Sequence, residues 1–268
     1  MNADGTFGLS VLPVLLASLA LVAVAVAISM RLRIGVERSI LWAAARATVQ
    51  LIAVGLLFTV IFESGLAELW AWLWVAVMVG VATFVVRKRA PAVPGVTIPA
   101  FLAVVGSAVL SVIVVFGFGV LELEPVRLVV IVGITLGNSL PSAVGGVAQT
   151  VAFVRDRPGE IEALLALGMM REHVVRYVAP QTARLALVNQ IERTKVVGLI
   201  ALPGAMTGLL LAGVAPLDAV VLQLLVMLIV LGSVGVSVLA TVLSIAGAAI
   251  SPELTLAEWV TSSAEDGE

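Results

Sequence analysis

The sequence predicts an all-α, polytopic membrane protein with seven transmembrane helices, on three observations. The 268 residues are 61% hydrophobic and only 12% charged, about half the charged fraction usual in a soluble domain. The apolar residues gather in seven stretches, each near the roughly 20 residues a bilayer-crossing helix needs. The basic residues then sort by gap, filling three gaps that alternate with nearly empty ones. Because Lys and Arg collect in cytoplasmic loops, this alternation predicts an outer N-terminus and a cytoplasmic C-terminus.

The predicted spans are 9–30, 39–62, 69–86, 97–120, 128–154, 196–214 and 219–249. Before the first lies Met1–Ser10, which has no basic residue and contains Asp4, a pattern that argues against a cleaved signal peptide. The gap after the first span holds Arg31, Arg33 and Arg38, and the gap after the third holds Arg87, Lys88 and Arg89. The long gap after the fifth holds Arg155, Arg157, Arg171, Arg176, Arg184, Arg193 and Lys195. By contrast 63–68 and 215–218 hold no basic residue, and 121–127 holds only Arg127. Trp70, Trp72 and Trp74 sit at the outer end of the third span, where amphipathic rings favour the interface. Spans and short loops consume the chain, which predicts a single membrane domain over 1–268.

Several function classes are disfavoured. There is no cysteine, so thiolate metal sites and thiol catalysis are absent. The one histidine, His173, falls in a loop, and all 17 Asp and Glu residues lie in loops or tails. Ion-coupled transporters usually keep an ionisable carboxylate within the membrane. No GxxxxGK[ST] phosphate loop occurs, so ATP hydrolysis is not expected on this chain. No catalytic residue, directly bound cofactor or nucleic-acid partner is expected. Met78, Met206 and Met227 read as gap fillers more readily than soft-metal ligands, and no metal-ligand set is predicted. Glu63, Glu68, Glu122, Glu124 and Asp218 in the outer loops read as solvated acids.

The gap from 155 to 195 is far longer than its neighbours. Pro158 suits a first helical turn, and Glu160 and Glu162 lie near the positive end of that helix's dipole. Ile161, Leu164 and Leu165 share a face, and Gly168 is placed to stop the helix in a left-handed conformation. An amphipathic helix of about ten residues is therefore expected. A second, arginine-rich amphipathic segment over 171–194 is expected to break at Pro180. One reading rests the short helix on lipid headgroups. The other docks it on a cytoplasmic ATPase, since Glu162, Ala163 and Gly168 resemble the EAA loop of ABC permeases, although Leu164 takes the third motif position.

Polar residues inside the spans mark a candidate substrate pathway. Arg46 and Gln50, four apart, share a face of the second span. In the fifth span Asn138, Ser139 and Ser142 surround Pro141, which cannot donate a backbone hydrogen bond and is expected to kink the helix. Such a break is tolerated at membrane depth where it is buried in protein or lines a water-filled cavity. Leu202-Pro203-Gly204 repeats the device in the sixth span. The glycine pairs Gly133/Gly137 and Gly204/Gly208 are spaced for close helix packing. Leu254, Leu256 and Trp259 predict an interfacial turn in the acidic tail.

The run Lys195-Val-Val-Gly-Leu-Ile-Ala-Leu-Pro-Gly204, with Met206, Gly208, Gly213, Pro216, Ala219 and Gln223, resembles the FetB-type permease family. So do Ile40-Leu41-Trp42, Arg46-Ala47, Gln50-Leu51-Ile52 and Gly55, and Gly137-Asn138. The resemblance covers about 37–245. It implies the membrane subunit of an ABC transporter in the plasma (inner) membrane, linked to metal export such as iron, with plant relatives linked to aluminium tolerance. It also implies a separate cytoplasmic ATPase subunit that binds the ATP, and a homodimer of the permease. The alternatives are an ATPase-independent channel or carrier, and a seven-span receptor or scaffold.

Overall fold

The computed structural model describes residues 11–62, 65–89, 93, 95–200 and 202–260. The N-terminal stretch before Val11, the outer-loop acid Glu63 and the acidic tail beyond Val260 lie outside them. Every regular element among the described residues is helical apart from isolated bridge residues in turns. The chain forms two compact units, 1–67 and 68–268.

The N-terminal unit is a helical hairpin of α1 (Val11–Leu32) and α2 (Glu37–Phe62). Its turn closes α1 with two backbone bonds, Arg33 N–H to the Met30 carbonyl (3.2 Å) and Ile34 N–H to the Ser29 carbonyl (3.0 Å). This places Arg33 at φ 53°, a left-handed conformation that non-glycine residues seldom adopt. The buried Ser29 hydroxyl donates to Glu37 at 2.9 Å, tying the last turns of α1 to the start of α2.

The second unit contains α3 (Ala67–Lys88), which begins at its boundary, and α4 (Thr97–Val112), which runs on into a π-helical turn at Ile113–Gly117. Then come α5 (Pro125–Asp156), α6 (Pro158–Ala166), α7 (Arg171–Lys195), α8 (Gly204–Leu211) and α9 (Pro216–Ala248). Its core lies between α5, α7 and α9. Ala179, Ala183 and Ala186 repeat along one face of α7 and pack on Val230, Val234, Val238 and Val242, a four-residue repeat of α9. Small residues against β-branched ones let the two helices approach closely. On α5, Gly146 does the same: a Cβ there would stand 3.1 Å from the Val242 side chain.

Five helices among the described residues are long and apolar enough to cross a membrane: α2, α3, α4 with its π turn, α5 and α9. In α1 the described side chains, Ala17–Leu32, form a shorter apolar helix. The predicted span 196–214 is not one helix. Gly198 takes φ +86° and Pro203 is extended, so the segment between Lys195 and Gly204 cannot propagate a helix. Only the eight residues of α8 follow, about 12 Å at helical rise.

Three further expectations are corrected. Pro180 does not break α7, which is continuous over 25 residues. The lost bond falls on the exposed side, while the buried residues from Val174 to Gln190 hold the other face in place. Nor do Gly137, Gly204 and Gly208 pack closely within this chain, because a Cβ at each meets nothing within 4 Å. α5 likewise runs unbroken through Pro141, so the proline removes a hydrogen bond without ending the helix.

Candidate functional site

The interruption between α7 and α8 opens a cavity of about 290 Å³. Its wall is assembled from four helices: Ile134 and Asn138 of α5, Gln190, Arg193 and Thr194 of α7, Gly204 and Ala205 of α8, and Gln223, Val226, Met227 and Val230 of α9. A wider cleft of about 560 Å³ shares Asn138, Gln190 and Arg193 and adds Gly137, Pro141, Ser142, Gln149, Asn189 and Glu192. Asn138 lies thirteen residues into α5, roughly 20 Å along its axis, and Gln223 about 10 Å into α9. The cavity therefore sits well inside the apolar length of both helices.

Local sequence explains the chemistry of this wall. Pro203 caps α8 in an extended conformation without a side-chain capping bond. The first helical bond of α8 runs from Thr207 N–H to the Pro203 carbonyl (3.0 Å). The N–H groups of Gly204, Ala205 and Met206 precede that bond and have no acceptor within the helix. On the opposite side, α7 ends with Arg193 and Lys195 in its last turn. Lys195 is held by Glu192 at 2.7 Å, whereas Arg193 has no acidic partner among the described residues. Gln223 is only 8% exposed, and its buried Oε1 has no hydrogen-bond partner among the described residues.

On α5, Asn138 donates one amide hydrogen to the Ile134 carbonyl (2.7 Å), leaving its other N–H and its carbonyl for the cavity. Pro141 has no N–H to offer the Gly137 carbonyl, and both residues border the wider cleft. Of the polar trio marked in the sequence, Asn138 and Ser142 come together there. Ser139 is buried, does not border either space, and its hydroxyl has no partner among the described residues. Arg46 and Gln50 belong to the N-terminal unit, one turn apart on an exposed face of α2. Sequence reasoning misses Gln190, Arg193 and Thr194, because it assigns them to a cytoplasmic loop. It quotes Gln223 only as part of a resemblance. The usable signal was the i, i+3, i+4 spacing of Gln190, Arg193 and Thr194, which puts three polar groups on one helical face. Among the described residues no group of three or more acidic, histidine or cysteine side chains is placed to hold a metal ion.

A second polar cluster lies at the other end of α5. α6 starts at Pro158 and stops with Gly168 at φ +82°. Gly168 N–H bonds to the Leu165 carbonyl and Met169 N–H to the Leu164 carbonyl, the paired pattern of a Schellman stop. The outer side of α6 keeps Glu160, Glu162, Ala163 and Leu167 exposed, while Ile161 is buried. Tyr177 of α7 donates to Glu160 at 2.7 Å and meets the Phe153 ring of α5 edge-on at 6.1 Å. Arg157 stacks over Phe153 at 4.9 Å and approaches Glu160 at 3.6 Å. Glu160 therefore ties α6 to α7 rather than standing free.

The tail also reaches this end. Trp259 is 7% exposed, donates its indole N–H to the Ala248 carbonyl at 3.0 Å and lies under the Arg155 guanidinium. Arg155 in turn donates to the Trp259 carbonyl at 3.2 Å. Within the expected interfacial turn Leu254 stays exposed, while Trp259 plugs the end of α9 and satisfies a carbonyl that the helix terminus leaves without a donor.

Comparison with known proteins fits this architecture. The chain is 36% identical to the UPF0014 membrane protein STAR2 of Oryza sativa subsp. japonica, over 82% of this chain and 77% of the relative. It is 30% identical to the probable iron export permease protein FetB of Escherichia coli (strain K12), over 82% of this chain and 85% of that protein. The protein ALUMINUM SENSITIVE 3 of Arabidopsis thaliana is 27% identical over 82% of this chain and 81% of its own length. No solved structure matches significantly. Residues 12–249 match the uncharacterised protein family UPF0014, and with its membrane-length helices the chain is a multi-pass membrane protein belonging to that family.

Proposed function

We propose that this chain is the membrane-spanning, non-catalytic permease subunit of an ABC transporter in the plasma membrane. A separate cytoplasmic ATPase drives it, and two permease copies complete the unit. A metal such as iron is the cargo, by analogy with the relative named as an iron export permease. The supporting observation is the mounting of α6. The helix ends in a defined stop, and it is tied through Glu160 and Tyr177 to α7 and through Arg157 to α5. Those same two helices carry Asn138, Gln190 and Arg193 into the cavity. A push on α6 thus has a bonded route to the cavity wall. In this reading Glu162 and Gly168 present the helix to the ATPase, α6 is cytoplasmic and the N-terminus is outside. Arg46 and Gln50 remain proposed members of the pathway on the strength of their sequence alone.

The test is copurification of an ATP-binding subunit with the detergent-solubilised chain. Glu162→Lys should release that subunit without lowering the thermal midpoint, since Glu162 is exposed and has no bonded partner among the described residues. A cysteine at 162 should react with an impermeant thiol reagent only when the cytoplasmic face is opened. Full subunit retention by Glu162→Lys, or labelling from outside intact cells, would refute this reading.

A further inference from the structure

The geometry points to an oxyanion site at the break: the cavity binds a phosphate- or carboxylate-bearing molecule through Arg193 and the uncapped N-terminus of α8, not a bare metal cation. The inference deepens the permease reading and rests on it for the bound molecule's role as cargo. Three features converge on this chemistry. The first is the start of α8, where Gly204 and Ala205 border the cavity and the leading N–H groups lack helical acceptors. A helix N-terminus with free N–H groups favours an anion, and discontinuous membrane helices present such ends to anionic groups.

The second is Arg193. Among the described residues that line the two spaces the one carboxylate is Glu192, and it is held by Lys195. The Arg193 guanidinium matches the fork geometry of a carboxylate or phosphate. Arg193 stands on the exposed side of α7, open to a molecule that enters the cavity. The third is Gln223, more than nine-tenths buried, lining the cavity with an amide oxygen that has no partner among the described residues. That acceptor, with the amides of Asn138 and Gln190, suits hydroxyl or N–H donors on the remainder of the same molecule.

A divalent ion alone would meet amide and hydroxyl oxygens beside a fixed positive charge, without the carboxylates that hard cations prefer. If the cargo contains iron, it occupies this cavity as an anionic, oxygen-ligated complex. A soluble anion and a phospholipid headgroup share the chemistry, and the test separates them.

The experiment uses the full chain, purified in phospholipid-free detergent, with inorganic phosphate, citrate, ferric citrate and ferrous ion as separate titrants. Binding is read by calorimetry and by the shift of the thermal midpoint. At least one anion should bind saturably, and ferrous ion alone should not. Arg193→Gln should weaken anion binding by about 10- to 100-fold, the loss typical of one charge-assisted hydrogen bond. Arg193→Lys should recover part of it. Gln223→Leu is the second variant should Arg193→Gln fail to elute as a single species, and it should also weaken binding. Competition by nanodiscs containing phosphatidylglycerol, but not phosphatidylcholine, would mark the headgroup as occupant and keep the oxyanion assignment. Equal anion binding by wild type and both variants, no anion binding, or ferrous binding indifferent to Arg193→Gln would each overturn it. No ATPase takes part, so loss of the ABC reading leaves this result standing, and the converse holds.

Discussion

The two ends of α5 handle polar groups in opposite ways. Near Phe153 and Asp156 the charged and aromatic side chains engage one another: Arg157 with Glu160 and Phe153, Tyr177 with Glu160, Arg155 with Trp259. Around Asn138 the side chains bond only to nearby backbone carbonyls, Asn138 to Ile134 and Thr194 to Gln190, and the buried amide oxygen of Gln223 finds no partner among the described residues. Polar contacts made inside the protein hold elements together. Polar groups kept buried and unpaired reduce stability, and they persist where a ligand completes them. The comparison separates the proposed joint from the proposed binding chamber within one helix bundle.

The comparison breaks first, and hardest, at Trp259. Trp259→Ala removes a buried indole and its bond to the Ala248 carbonyl. It should cost about 3–5 kcal/mol, in line with other buried aromatic truncations, read as a lower thermal midpoint in detergent. An unchanged midpoint would mean that the tail contributes nothing to the joint.

Tyr177→Phe keeps the ring against Phe153 and removes only the bond to Glu160. Because that bond is solvent-exposed, a loss of about 0.5–1 kcal/mol is expected, together with weaker coupling of ATP hydrolysis to transport under the proposed ABC reading. Normal coupling in a variant with the expected stability loss would show that α6 does not act through α7.

Smallest in stability is Gln223→Leu. Replacing an unpaired buried amide with an apolar group of similar size should leave stability unchanged or raise it by up to about 1 kcal/mol. Ligand binding should nonetheless fall. A clear destabilisation would mean that Gln223 is a structural polar group and would remove the contrast between the two ends.

Much of the joint was legible in the sequence. Pro158, the Ile161/Leu164/Leu165 face and Gly168 define α6 within a residue or two, because proline entry, amphipathic spacing and glycine exit are all local signals. Asn138 and Ser142 were legible for the same reason, standing beside a proline in an apolar run. The other half of the chamber was not. Arg176, Arg184 and Arg193 make 171–195 read as a loop, yet the alanines on the opposite face of that helix bury it against α9. Charge counting sees composition and not the face on which each charge lies. The predicted sixth span failed similarly: 196–214 is apolar enough to cross, but Gly198 and Pro203 set backbone angles that apolar character does not encode. Trp259 was read as interfacial and its burial was not legible, because its partners, Ala248 and Arg155, are eleven and 104 residues away.

Pro141 gives α5 a lever. At that point the rod has already forfeited the bond to the Gly137 carbonyl, so flexing there sacrifices no further ladder bond. From Pro141 to Asp156 is about 22 Å of helix. A rotation of roughly 10° about the proline swings the far end through about 4 Å on that arm. A displacement of that size at α6 needs only a small change of angle at the cleft, and a ligand seated there need shift the bend only slightly to be felt at the α6 end.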